Sequence, residues 1–152
     1  MDSTRFSQRV VKVLASANAE AARLQHEYVG TEHILLGLAL DKEGVATVVL
    51  ENLGVNLDDL RERIESTVMR GRVTTRRLHE RPYTSRARIA LELATASSQA
   101  LGNSYVGVEH LLLGLLEENG GIAAFVLAAE GVTAGRVREE TVRLLGRELP
   151  DD

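Results

Sequence analysis

The 152-residue chain has no cysteine, no tryptophan, two prolines and two phenylalanines. Without thiols, disulfide scaffolds, thiol catalysis and thiolate metal sites are excluded, which fits a cytoplasmic protein. No apolar run approaches the roughly 20 residues of a membrane span, and Met1-Asp2-Ser3-Thr4-Arg5 lacks the layout of a signal peptide, so no membrane partner is expected. Lysine is nearly absent too, with only Lys12 and Lys42, and the net charge of −4 argues against a nucleic-acid partner. What basic charge there is sits on guanidinium groups. Arg70, Arg72, Arg76, Arg77, Arg81, Arg86 and Arg88 cluster mid-chain, opposed only by Glu80. They read as a solvated linker or, more sharply, as a site for an anion or acidic partner. Alternation of period two is missing as well, which leaves no candidate for a half-buried strand.

What is present is said twice. Tyr28 to Leu38 reads YVGTEHILLGL, and Tyr105 to Leu115 reads YVGVEHLLLGL. The same offset pairs Phe6 with Tyr83, Leu14 with Leu91, Leu24 with Leu101, Gly44 with Gly121, Leu50 with Leu127 and Gly54 with Gly131. The chain is therefore a tandem duplication of a unit of roughly 65 residues. Repeat one covers about residues 5–71, a connector about 72–82 and repeat two about 83–147, all within a single domain. One unit alone would be marginal, so the halves are expected to share buried surface.

Each unit parses into four helices, which makes the fold all-α. Phe6, Val10, Val13, Leu14, Ala17, Ala21 and Leu24 form the apolar stripe of the first. Gly30 breaks it, and Thr31 is positioned to N-cap a second helix over Glu32–Leu40, with Ile34, Leu35 and Leu38 inward. A third runs from Val45 to Leu53 after Gly44. Gly54 suits a left-handed C-terminal cap, and Asn56 the N-cap of a fourth helix from Leu57 to about Met69. Repeat two follows the same plan from Tyr83 to Leu145. Pro82 and Pro150 fall outside the helical patterns. Val108 stands where repeat one has Thr31, so the sixth helix is expected to lose a hydroxyl cap worth about 1 kcal/mol.

Catalytic readings fail one by one. Each repeat has a single Glu-His pair (Glu32-His33, Glu109-His110), where a zinc protease needs two histidines four residues apart. His33 and His110 are better read as partly buried histidines bonded to a neighbouring helix, and no spacing predicts a cluster with His26 and His79. Neither a GxSxG elbow nor a GxxxxGK[ST] loop is present, so an enzyme is not expected, nor any metal or cofactor. Glu32 and Glu109 remain as candidate binding residues, each at a helix start. Ser7 and Thr84 occupy equivalent places near the first helix of each unit. A carboxylate and a hydroxyl so placed would suit a cation that also carries an anionic group. Helix capping and dipole pairing account for the same spacing more simply, and sequence alone does not separate the two readings.

Phe6-Ser7, the doubled YVG-x-EH-x-LLGL, Glu43-Gly44-Val45-Ala46 and Arg81-Pro82-Tyr83-Thr84-Ser85-Arg86-Ala87 closely resemble the N-terminal domain of Clp unfoldases, especially ClpC. The resemblance runs from about Arg5 to Leu145 and implies a pseudo-twofold pair of four-helix repeats. It also implies a non-catalytic docking platform for substrates and adaptor proteins of the Clp proteolytic system, one that in some members binds phosphorylated arginine at one site per repeat. By that resemblance Glu32 and Glu109 would take the guanidinium, with Ser7 and Thr84 beside them, and Phe6 and Tyr83 would offer an apolar partner surface. The family's N-terminal aromatic is replaced by Asp2, Ser3 and Thr4, and Val108 makes the second site the weaker expectation. The unfoldase ring modules are missing, so the chain is expected to be a stand-alone copy or an excised piece. Two alternatives accompany the docking platform: an accessory subunit on the ClpP or ClpC assembly, and a sequestering factor for small molecules that target the ClpC domain.

Overall fold

The computed structural model describes residues 5–71 and 80–146. Asp2, Ser3, Thr4, Arg72, Arg76, Arg77, His79 and Pro150 lie outside the described residues. The described residues form eight helices: α1 (Gln8–Arg23), α2 (Thr31–Leu40), α3 (Val45–Asn52), α4 (Leu57–Thr67), α5 (Ser85–Ala100), α6 (Val108–Glu118), α7 (Ile122–Ala129) and α8 (Ala134–Leu145). The fold is all-α, in two groups of four as the repeat requires.

Starts and stops follow local chemistry. Ser7 and Thr84 cap α1 and α5, their hydroxyls accepting from Val10 N and Ala87 N at 3.1 Å each. Asn56 Oδ1 accepts from Asp59 N at 3.0 Å to cap α4, and Thr133 does the same for α8. Gly54 and Gly131 adopt φ of +91° and +76° after α3 and α7, where a side chain would be strained.

The YVG-x-EH segments behave differently from the reading of Thr31 as a cap. Gly30 occupies the N-cap position, and it is the His33 ring that accepts its amide, N to Nδ1, at 2.8 Å. Thr31 instead turns outward to the other repeat, where its Oγ1 accepts from Ala123 N at 3.3 Å in the first turn of α7. Repeat two preserves the histidine device, Gly107 N donating to His110 Nδ1 at 2.8 Å. Val108 therefore removes no cap from α6, and the expected loss there is withdrawn. The histidines are also fully rather than partly buried, at 0% and 1% exposure, and bond to the loop before their own helix.

α2 and α6 are the central elements. Beyond the expected Ile34, Leu35 and Leu38, Leu36 is also fully buried, and α6 matches with Leu111, Leu112 and Leu115. A helix apolar all round must be covered all round. α1 covers α2 and α5 covers α6. α7 of repeat two packs on α2 and α4, and α3 of repeat one on α6 and α8. The third helix of each unit is thus shared with the other unit, which is how two marginal halves close one core. No single described helix is long and apolar enough to cross a membrane; α6 and α7 reach that length only together, across a 94° bend.

Candidate functional site

Two short extended contacts decide which residues meet. Val29 bridges Tyr83, with Val29 N donating to Pro82 O and Thr84 N to Val29 O, each at 2.9 Å. Phe6 bridges Val106, with Ser7 N donating to Val106 O at 3.0 Å and Val106 N to Arg5 O at 2.7 Å. The start of each repeat is therefore stitched to the YVG segment of the other. Thr84 lies beside Glu32's segment and Ser7 beside Glu109's, a cross-pairing that no repeat-by-repeat reading reveals.

A pocket of about 460 Å³ opens at the first junction. Repeat one contributes Tyr28, Thr31 and Glu32; repeat two contributes Thr84, Ser85 and Arg86 at the start of α5, and Gly120, Gly121 and Ile122 at the start of α7. Glu32 is 6% exposed, and no described residue forms a salt bridge or a side-chain hydrogen bond with it. Burial pushes its carboxyl above the usual range, opposed by a hydrogen bond from its own amide and by His26 nearby. Across the pocket, the Thr84 oxygen accepts from the helix while its O–H stays available to donate. The first amides of α5 are directed outward from a helix N-terminus. Arg86 holds Glu118 at 2.8 Å, and Glu118 in turn accepts from Gly120 N and Gly121 N at 3.1 and 2.7 Å. The pocket thus presents a carboxylate without an ion-pair partner among the described residues on one wall, and helix donors with the Glu118-paired guanidinium of Arg86 on the other.

The second junction holds Glu109, also 6% exposed, but its Oε2 accepts from Tyr105 Oη at 3.2 Å. Arg9 pairs with Asp41 at 2.6 Å, the counterpart of Arg86 with Glu118. Phe6 and Tyr83 are half-buried, pack against the core and sit within the two bridges. Of the mid-chain arginines, Arg81 is buried, its Nε donating to His26 O at 2.8 Å, while Arg70 donates to Gln25 Oε1 and Arg23 O. These two arginines bind the protein itself.

Behind the first pocket runs a relay of histidines. With Gly30 N–H occupying Nδ1, neutral His33 carries its proton on Nε2 and donates to His26 Nδ1 at 2.8 Å; His26 Nε2–H then donates to Met69 O at 2.6 Å. Burial, with His26 and Arg81 nearby, drives the His33 pKa down to about 3. In repeat two the place of His26 is taken by Asn103, whose Oδ1 meets His110 Nε2 at 2.9 Å. Among the described residues no group of three or more His, Asp or Glu could hold a metal.

Reading the sequence missed Tyr28 and the α7 start as pocket residues, and named Arg86 only within the mid-chain arginine cluster, apart from Glu32. Arg86 had a weak signal, since Arg9 and Arg86 stand two residues beyond Ser7 and Thr84 at the repeat offset. The α7 start, some 90 residues from Glu32, had none.

Comparison with known proteins agrees with this architecture. The model of the Clp repeat (R) N-terminal domain matches residues 5–82 and again 82–152. The Bacillus subtilis negative regulator of genetic competence ClpC/MecB is 44% identical over 142 residues, 93% of this chain and 17% of that protein. Chloroplastic ClpC1 of Arabidopsis thaliana is 43% identical over 93% of this chain and 15% of its own length. The chain thus spans about one-sixth of the curated relatives it matches. Among solved structures, the N-terminal domain of Arabidopsis ClpD superposes with a TM-score of 0.77 at 22% identity, covering 97% of this chain and 98% of that one. A ClpV N-domain in complex with a VipB peptide superposes with 0.75 at 19%, covering 95% and 89%. At these identities the likeness is one of fold.

Proposed function

Because this chain belongs to the Clp repeat N-terminal domain family, we propose that it is a non-catalytic docking module of the Clp proteolytic system. It takes up protein segments bearing phosphorylated arginine, together with substrates or adaptors that carry them, and presents them to or withholds them from a ClpC unfoldase in the cytoplasm. The observation that carries this reading is Glu32, a buried carboxylate without a described cation, facing the N-terminus of α5 across one pocket. A guanidinium fits the carboxylate through paired hydrogen bonds, and its attached phosphate reaches the Thr84 hydroxyl, the first amides of α5 and Arg86. Glu109 and Ser7 are the pseudo-symmetric counterpart.

Isothermal titration with free phosphoarginine tests the proposal. We expect saturable binding that falls at least tenfold when both glutamates are replaced, Glu32→Ala with Glu109→Ala, because a charge-assisted fork is worth about 1.5–3 kcal/mol. Absence of heat at about millimolar ligand, or equal affinity in Glu32→Ala and Glu109→Ala chains and the unsubstituted protein, would overturn it.

A further inference from the structure

The two copies of the site are built on nearly the same backbone and differ in what their carboxylate touches. Tyr105 reaches Glu109 through its hydroxyl. Tyr28 makes no such bond to Glu32; its ring lies flat on His26, centroids 5.2 Å apart and planes 8° from parallel. Both tyrosines keep the same edge contact with their buried histidine, 5.7 Å and 65°, so the difference lies in the second partner of each ring. At Gly107 a Cβ would meet Tyr105 Cε2 at 2.8 Å, whereas at Gly30 the three nearest atoms, the last at 3.1 Å, all belong to Glu32. Tyr105 thus closes on its glycine and glutamate, whereas Tyr28 lies near enough to feel the Glu32 charge and makes no hydrogen bond to it.

The residue that differs behind them is His26 against Asn103. His26 is 5% exposed and fixed at both ring nitrogens, by His33 and by the Met69 carbonyl, so it is a flat and immobile platform. Asn103 has the same bond to the buried histidine and no ring face for a tyrosine to stack on.

We infer that His26 is a positioning residue that keeps the first site open: by stacking on Tyr28 it holds that phenol off Glu32, while Asn103 in repeat two leaves Tyr105 free to occupy Glu109. A cation entering the first site meets a bare carboxylate. One entering the second must displace or share a hydrogen-bond donor. The inference rests on reading Glu32 and Glu109 as cation acceptors, and it makes the two sites unequal.

The test uses single-site chains, Glu109→Ala isolating the first site and Glu32→Ala the second, titrated with phosphoarginine. The first site is expected to bind about five- to tenfold more tightly, the worth of one hydrogen bond. His26→Asn should erase most of that advantage. His26→Phe, which keeps a flat ring and loses both hydrogen bonds, should retain it, and Tyr105→Phe should tighten the second site. Equal weakening by His26→Asn and His26→Phe would mean a merely structural role and overturn the inference, as would unchanged first-site affinity in His26→Asn. If the unsubstituted protein binds no phosphoarginine, the ligand reading falls, and His26 is judged by the carboxyl-carbon NMR titration of Glu32. Both substitutions also remove the lowering that His26 exerts on the Glu32 carboxyl, so the two variants are compared with each other. A midpoint lower by about 0.5 pH or more in His26→Asn than in His26→Phe upholds the positioning role, since a phenol donor favours the charged carboxylate, and equal midpoints refute it.

Discussion

Gly37 and Gly114 lie in the middle of α2 and α6, where a glycine costs a helix about 1 kcal/mol relative to alanine. An isolated helix would gain from Gly37→Ala. In the folded protein the new Cβ would sit 2.5 Å from the Val13 carbonyl oxygen and 3.2 Å from Ala17 N. Both are backbone atoms of α1 and cannot rotate aside, so α1 must retreat by about 1 Å to restore ordinary contact. Retreat opens space around Val10, Val13, Ala17 and Ala21, all at 0–1% exposure. Overpacking of this kind costs about 1–3 kcal/mol, and lost dispersion along α1 adds to it. Set against the propensity gain, the net loss is about 1–2 kcal/mol, or roughly 3–8 °C in Tm for a chain of this size. Gly114→Ala should behave alike, because its Cβ would strike the Ala90 carbonyl oxygen and lie 3.0 Å from Ala94 N. Gly135 is the control. It is exposed in α8 with nothing within 4 Å of a Cβ, so Gly135→Ala should be neutral or stabilising by up to about 1 kcal/mol. Urea and thermal unfolding followed by circular dichroism reads all three. Gly37→Ala as stable as Gly135→Ala would refute the close approach of α1 and α2.

Stability should fall on acidification: folding lowers the His33 pKa from 6.5 to about 3, so the stability tied to its neutral form is complete above pH 6.5 and declines towards pH 3. Between about pH 7.5 and about pH 5.5 the loss is about 1.4 kcal/mol, and His33→Gln should flatten that part of the slope in unfolding curves. A slope equal in both proteins would remove His33 as its source. Thr31→Val should destabilise by about 0.5–1 kcal/mol by uncapping α7 rather than α2, so amide exchange should quicken near Ala123 and not near Ile34.

The fold was legible because its signals are local and repeated. Asn56, Gly54 and the α1 stripe act within a turn or two of chain, and their spacing carries the geometry. Thr31 misled for a physical reason. A hydroxyl one residue after a glycine looks like a cap, but the helix begins one residue sooner. The Gly30 carbonyl already accepts from His33 N and Ile34 N, which puts Thr31 inside the first turn and leaves its hydroxyl for a helix of the other repeat. Where the pocket lies was illegible for a related reason. Glu32 and Thr84 belong to different copies, and they meet through a bridge of one residue pair, Val29 with Tyr83, and the packing of α2 on α5 and α7.

The duplication also works as a comparison the protein carries within itself. Where the backbone makes the same demand, the copies answer differently: Gln25 and Gly102 both take positive φ, +63° and +70°, and only the glutamine carries the strain of a Cβ there. Gln25 is held by Arg70, whose Nε donates to its side chain at 3.1 Å, and the next residue is His26. Asn103 likewise follows Gly102 in an otherwise equivalent turn. The unstrained turn thus belongs to the copy in which Tyr105 holds Glu109, and the strained turn to the copy in which Glu32 stands without a described partner. Strain and a buried carboxylate without an ion-pair partner both cost folding free energy, and they occur together in repeat one. Repeat one is therefore the copy in which stability has been given up at the site, and repeat two the copy that resembles a relaxed scaffold.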